Sequence, residues 1–288
     1  MGQTVGEAVR AAQRRFQAAG VEKAALDAQV LLGYVLGVGR AWLIAHPEAV
    51  LTPDQARAFE RLVQGREARQ PVAYLTGQRE FYGLDFGVDE RVLVPRPETE
   101  LLVERAVVLV REWQARHGQW PRVVDVGTGS GAIGVSLSVA VPALPLVDLV
   151  DASPAALDVA RANAERHGVA ERLRFWTGDL LAPPPTPVDL VLANLPYIEA
   201  EIIPTLAPEV QREPRLALDG GPDGLDPFRR LFAQVPDHVT PGGVLLLEIG
   251  AGQGQAVTEL AQVLHPQAVS VHPDLAGLDR LVEVHLCE

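Results

Sequence analysis

From residue 121 onward, short apolar runs of strand length alternate with helical stretches, and this alternation limits the fold more than any other feature. The expected strands are Val123–Val126, Leu146–Val150, Leu173–Thr177, Leu190–Ala193, Val244–Ile249, Ala268–His272 and Leu281–Leu286. Most are apolar at consecutive positions, the pattern of strands covered on both faces. Helices between them act as crossovers, so the region reads as an α/β fold around a mostly parallel sheet. No internal repeat is evident. Ala182–Pro187 (APPPTP) is short and Pro-rich, and is expected to be a loop and not a linker.

The chain before this region has a different texture. Residues 1–77 read as a small helical bundle. Thr4 and Glu7 have capping-box spacing, and Gly20 stands where that helix should stop. Residues 22–36 carry apolar side chains near helical spacing, and Thr52-Pro53-Asp54-Gln55 is a second start signal. Residues 78–95 alternate aromatic and β-branched residues around Gly83 and Gly87, which predicts a hairpin joining two domains. Residues 96–288 form the second domain. It opens on a long helix over 97–117, with Pro97 in its first turn beside Glu98 and Glu100, where the helix dipole favours acids.

Composition narrows the function. No run of 18 apolar residues occurs and the N-terminus lacks the apolar core of a secretory signal, so neither a membrane span nor export is expected. The single cysteine, Cys287, argues against disulfides and a cysteine nucleophile, and a reducing cytoplasm fits. The seven histidines show no metal-ligand spacing, so no metal is expected. Net charge is -12. Residues 1–80 hold 10 basic and 8 acidic side chains, net +2, which leaves 15 basic and 29 acidic beyond them, net −14. Such an acidic region is a poor holder of nucleic acid phosphates. Scarce Asn, Cys and Met with 23 prolines is a composition expected of a thermophile. Nothing signals an oligomer, so a monomer is expected.

Chemistry enters at Val123–Gly131, a strand running into Gly127-Thr128-Gly129-Ser130-Gly131 and then a helix. Glycines there allow a tight turn and close approach of a ligand to the backbone. Asp151, ending the second strand, can accept hydrogen bonds from both hydroxyls of a ribose. Asp179 and Leu180 follow the third strand and suit an adenine amino group and ring face. Gly129-x-Gly131-x-x-Gly134 also fits the dinucleotide fingerprint, so the loop alone does not separate a nicotinamide cofactor from S-adenosylmethionine. The earlier start, Asp125-x-Gly127-x-Gly129-x-Gly131, is the methyltransferase pattern. A second glycine loop, Gly250–Gly254 after Glu248, reads as a turn into a helix.

Asn194-Leu195-Pro196-Tyr197 follows the fourth strand, and Asn194 is one of only two asparagines. An amide or aryl amine nitrogen is a poor nucleophile because its lone pair is delocalised. Acceptors holding its N–H bonds turn that lone pair toward a methyl donor. The Asn194 side-chain oxygen and the Leu195 carbonyl are candidate acceptors, Pro196 biases Leu195 toward extended geometry, and Tyr197 can pack on the planar substrate.

With these residues in view, the chain resembles the HemK/PrmC family of peptide-chain release factor glutamine methyltransferases over essentially its whole length. Asp125–Gly131 and Asp151 carry part of the resemblance. The more specific segments are Pro95-Arg96-Pro97-Glu98-Thr99-Glu100 and Glu213–Gly224 (EPRLALDGGPDG). The resemblance implies a class I, Rossmann-like, seven-stranded methyltransferase fold with its last strand antiparallel, and an N-terminal helical domain that helps receive the release factor. It implies transfer of a methyl from S-adenosyl-L-methionine, leaving S-adenosyl-L-homocysteine, to the side-chain nitrogen of the glutamine in the factor's Gly-Gly-Gln (GGQ) loop. By the same resemblance Gly127–Gly131, Asp151, Leu180 and Asn194 contact cofactor, Asn194–Tyr197 hold the glutamine amide, and Arg96, Pro97 and Glu98 line the mouth of the site. Leu195 departs from the family's usual second proline but keeps the carbonyl. Asn-Leu-Pro-Tyr also occurs in rRNA adenine dimethyltransferases, and adenine-specific DNA methyltransferases share such a tetrapeptide. N6-adenine methylation of rRNA or DNA is therefore the alternative, opposed by the acidic charge and the unexplained PRPETE segment. A nicotinamide oxidoreductase and a non-catalytic binding protein on a methyltransferase scaffold are the remaining readings.

Overall fold

A computed structural model describes residues 2–184 and 187–288, so the centre of the Ala182–Pro187 stretch lies outside the described residues. The chain divides into two compact units, residues 1–78 with 207–212, and residues 79–206 with 213–288. No helix among the described residues is long and apolar enough to cross a membrane.

The first unit is helical: α1 (Val5–Ala18), α2 (Ala24–Leu36), α3 (Arg40–Ala45), α4 (Pro53–Glu67) and α5 (Val72–Thr76). Thr4 and Glu7 close a reciprocal capping box on α1, and Thr52 and Gln55 close another on α4, with Pro53 in the first turn. Gly20 follows α1 with φ 74°. Apolar stripes converge on Phe16, Leu31, Leu32 and Phe59, all buried. Residues 207–212 belong to this unit through ion pairs. Glu209 accepts from Arg66 Nη2 at 2.7 Å and from Arg69 Nε at 3.1 Å, and Arg212 Nη2 donates to the Ala68 carbonyl at 2.9 Å. Arg66 is buried and also holds Asp27 at 2.8 Å. The sequence division near residue 78 omits this segment because its partner, Arg66, lies 143 residues away and leaves no periodic signal.

The second unit opens on a hairpin of β1 (Gln78–Phe81) and β2 (Leu84–Gly87). A single 3-10 turn over Pro97–Thr99 precedes α6 (Glu100–His117), so the helix expected over 97–117 begins with one tighter turn. The sheet contains β3 (Val123–Val126), β4 (Val147–Asp151), β5 (Leu173–Thr177), β6 (Val188–Ala193), β7 (Val239–Glu248), β8 (Ala268–Pro273) and β9 (Asp279–His285). Their order is β5-β4-β3-β6-β7-β9-β8, with β9 antiparallel to both neighbours and the other paired strands parallel. The crossover helices are α7 (Ala132–Ala140), α8 (Pro154–Arg166) and α9 (Asp226–His238), and α10 (Gly254–Ala261) follows β7. Strand β7 starts five residues earlier than its apolar run, because the Pro241-Gly242-Gly243 stretch is taken up as an irregularity opposite Val188–Leu190.

Register between the strands positions the polar residues at their ends. Val126 pairs with Val150 and with Ala193, Asp151 pairs with Thr177, and Ala193 pairs with Leu247. One residue further along each strand, Gly127, Asp151, Asn194 and Glu248 therefore stand at a common level at the carboxyl ends, where α/β sheets gather ligands. Asn163, the other asparagine, is structural. Its buried amide accepts from Gly87 N–H at 2.7 Å and donates to the Gly87 and Ser130 carbonyls, tying the hairpin to α8 and the glycine turn.

Glu283 on β9 shows how the sheet tolerates charge. Its buried carboxylate accepts a two-pronged pair from Arg105 of α6 at 2.6 and 2.7 Å, and its Oε1 lies 2.6 Å from His285 Nε2. Burial opposes ionisation, but Arg105 and His285 outweigh it and hold the carboxyl at about 2. A folded pKa below the unfolded value gives stability that is present above the unfolded pKa and lost as pH falls toward the folded one. Acid unfolding monitored by circular dichroism checks this. Glu283→Gln is expected to cost ~3 kcal/mol at neutral pH and to flatten the stability loss between roughly pH 4.3 and pH 2.

Candidate active site

The glycine turn is shaped by a buried carboxylate beneath it. Asp125 Oδ2 accepts from the Thr128 hydroxyl at 2.6 Å and from Gly134 N–H at 3.0 Å, clamping the turn to the first coil of α7. Burial raises its carboxyl to about 6, and among the described residues Oδ1 has no partner. Gly127 and Thr128 both donate to the Val150 carbonyl, at 2.8 and 3.0 Å. Gly127, Gly129 and Gly131 have φ values of 70°, 56° and 81°, in the region that favours glycine.

A cavity of about 420 Å³ opens above this turn, within the size range of small-molecule sites. Gly127, Gly129, Asp151, Leu180, Leu195 and Pro196 line it, together with Asp179 at its rim. Asp151 is held by its own chain: Oδ2 accepts from Gly129 N–H at 2.9 Å and Oδ1 from Ser153 N–H at 2.8 Å. Each oxygen keeps acceptor capacity for a pair of neighbouring hydroxyls. Burial raises its pKa, opposed by the two N–H groups. Leu180 holds a left-handed φ of 51°, and the Leu181 N–H beside it is anchored by Gln234 Oε1 at 2.8 Å. Strain of this kind costs ~1–2 kcal/mol and is typical of ligand-facing positions. Asp179 is paired with Arg230, and Gln234 Nε2 donates to its other oxygen at 3.3 Å.

Several residues assigned from sequence lie elsewhere. Thr128 and Ser130 are buried, the Thr128 hydroxyl is spent on Asp125, and neither these two nor Gly131 lines the cavity. Arg96, Pro97 and Glu98 also lie outside the cavity lining. Arg96 Nη2 binds the buried Glu213 at 2.6 Å, while Pro97 and Glu98 are exposed. Glu213 accepts from Val94 N–H as well, at 2.9 Å, joining the two chain segments that supply Leu93 and Leu216 to the cavity wall.

Asn194 stands one residue past the end of β6. Its Nδ2 donates to Thr99 Oγ1 at 3.1 Å. Among the described residues neither Asn194 Oδ1 nor the Leu195 carbonyl accepts a hydrogen bond. The Leu195 side chain is buried under the turn, its Cδ2 placed 3.4 Å from where a Gly127 Cβ would stand. Leucine thus fills space beneath the turn. The Tyr197 carbonyl accepts from Gln253 Nε2 at 3.0 Å, and burial pushes the Tyr197 phenol up to about 12. Gly224 closes over Tyr197: its φ is 73°, and a Cβ there would meet the Tyr197 carbonyl oxygen at 2.4 Å. This gives the glycine-rich segment after Glu213 its physical reason.

Sequence reasoning missed Thr99, Gln253, Arg230 and Glu248. Thr99 lies inside the PRPETE segment that carries much of the family resemblance. Glu248 had a signal of its own, as a lone charge ending an otherwise apolar strand. Among the described residues no cluster of three or more metal-ligand side chains occurs.

The PrmC N-terminal domain model matches residues 7–77, and the methyltransferase small domain model matches residues 104–212. A release factor glutamine methyltransferase from Cereibacter sphaeroides is 45% identical over 281 residues, covering 97% of this chain and 98% of its own. One from Moorella thermoacetica is 44% identical over 280 residues, covering 96% and 95%. A methyltransferase structure from Pyrococcus furiosus is similar in fold, with TM-score 0.52 and 18% identity over 71% of this chain and 89% of that one. By identity sustained over nearly its full length, the chain belongs to the release factor glutamine methyltransferase family.

Proposed function

We propose that this protein transfers a methyl group to the side-chain amide nitrogen of the glutamine in the GGQ loop of peptide-chain release factors. The observation that carries the reading is Asn194. Its Nδ2 is committed to Thr99, which leaves Oδ1 as an acceptor beside the Leu195 carbonyl. Two acceptors at a strand end can take both N–H bonds of a primary amide and set its nitrogen lone pair toward a methyl donor. That work is orientation and fixed dipoles, with no strong base required. Tyr197, partly buried and neutral, supplies a flat face for the amide.

The cavity fits S-adenosylmethionine. Asp151 presents two anchored oxygens to a ribose, positive-φ glycines bring backbone close to the ligand, and Leu180 offers an apolar face. When bound, the cofactor supplies an electrophilic methyl: the N–C bond forms as the C–S bond breaks, the electron pair stays on sulfur, and the amide nitrogen releases one proton to water. Asp179, freed from Arg230, suits an adenine amino group.

The helical unit is the receiving surface for the factor in this reading. Arg10 and Arg14 are exposed one turn apart on α1, in the half of the chain with net positive charge. The setting is the cytoplasm, where the exposed Cys287 stays a thiol.

Three measurements test these assignments. Incubation with labelled methyl donor and a release factor should label the GGQ glutamine, and Asn194→Ala should lower kcat by about a hundredfold while leaving the circular dichroism spectrum unchanged. Label appearing on rRNA and not on the factor would transfer the reading to adenine. Asp151→Asn must turn an NH₂ toward the Gly129 or Ser153 N–H, so calorimetry should show S-adenosylmethionine binding weakened about tenfold or more. Charge reversal of Arg10 and Arg14 together should raise KM for the factor about threefold or more and leave kcat near wild type; an unchanged KM would count against α1 as a docking surface.

A further inference from the structure

The site contains a buried acid for which methyl transfer itself has no use. Glu248 ends β7, beside Asn194 at the end of β6, because Ala193 and Leu247 are register partners. It is 1% exposed, and among the described residues its Oε2 has no hydrogen-bond partner. The hydroxyls of Thr99 and Tyr197 face this carboxylate and favour its charged form. Thr99, also buried, is the residue that receives the Asn194 Nδ2 hydrogen bond.

A hydroxyl that donates to a carboxylate has only acceptor capacity left for its other neighbours. Among the described residues the Thr99 hydroxyl donates to no other acceptor, so an ionised Glu248 facing it draws that proton and leaves Thr99 to accept from Asn194. The Asn194 amide is then forced to turn Nδ2 toward Thr99 and Oδ1 the opposite way. We infer that Glu248 is a positioning residue for this reaction, fixing through Thr99 which end of the Asn194 amide is offered to the substrate. The inference rests on the activity proposed above and extends it by one residue that touches neither substrate nor cofactor.

The same wiring makes the orientation sensitive to pH. Burial raises the Glu248 carboxyl to about 7. Once protonated, it can donate to Thr99, whose hydroxyl is then free to donate to Asn194 Oδ1, and the amide loses its enforced direction. The other titratable or charged groups facing Glu248 are Tyr197, Arg280 of β9, and Glu98 of the turn before α6. Tyr197 stays neutral near pH 7, and Arg280 is shared with Asp274 at 3.1 Å.

The test is the pH profile of methyl transfer to a release factor, with S-adenosylmethionine affinity measured alongside by calorimetry. Wild-type kcat is expected to fall about threefold or more from about pH 8 to about pH 6 as Glu248 takes up its proton. Glu248→Gln can show Thr99 either its oxygen or its NH₂, so kcat should drop about tenfold at pH 8 and be flat across the range. Cofactor affinity should stay within about twofold and the melting temperature should be no lower. Thr99→Val should lose kcat similarly, and the double variant should lose little more than Thr99→Val alone, as residues in one chain of bonds are not additive. Full wild-type activity with an unchanged pH profile in Glu248→Gln overturns the assignment alone, as does full activity in Thr99→Val. Absence of methyl transfer by the wild-type chain overturns the proposed activity and the assignment together.

Discussion

Parallel pairing of β4, β3, β6 and β7 in a single register is the constraint on which the site depends. A strand that slipped by two residues would still bury its apolar side chains, yet it would carry its terminal polar residue out of line with its neighbours. The register brings Asp151, a glycine turn, an asparagine and a buried glutamate to one level, each from a different strand. Loops then need only cap the row. The Glu213 carboxylate does so by holding the Val94 N–H, and the glycines around Tyr197 by letting backbone approach backbone.

Charge is handled in two opposite ways around this sheet. Glu283 meets Arg105 in a paired geometry, and its ionisation supports folding. Asp125 and Glu248 lie under the site with one oxygen each unpartnered, and burial raises both, to about 6 and about 7. For a raised carboxyl the sign reverses: the folded chain favours the neutral acid, and stability declines as pH rises through the folded value. Keeping Glu248 ionised above that point costs on the order of 3 kcal/mol. A core built only for stability would replace both acids with apolar side chains. Their presence at the functional end of the sheet, and not at its other edge, fits residues kept for what they orient.

Much of this was legible from sequence, for reasons particular to each element. The strands announced themselves because a sheet covered on both faces demands unbroken apolar runs, and the two capping boxes marked helix starts because the end groups must be satisfied locally. Asp151 and Asn194 were findable as polar residues at the ends of such runs. Thr128 and Ser130 lie outside the cavity lining, because adjacency to the glycines gives no information on which way a side chain turns, and both are buried. Glu248 escaped because its meaning lies in a neighbour on another strand, and register between strands is not written in either one. Arg66 and Glu209 escaped for the same reason at greater range.

That last pair bears on how the protein can be taken apart. The helical unit is assembled from two separate stretches of chain, so it is not a detachable module at the N-terminus. A chimera that exchanged residues 1–77 with those of a relative would replace Arg66 and Arg69 but retain Glu209, and would leave that carboxylate to find new cations. Diversification of this unit must proceed by paired change at both stretches, which ties its drift to that of the loop after β6. The chain folds as two units, but they do not separate along its sequence.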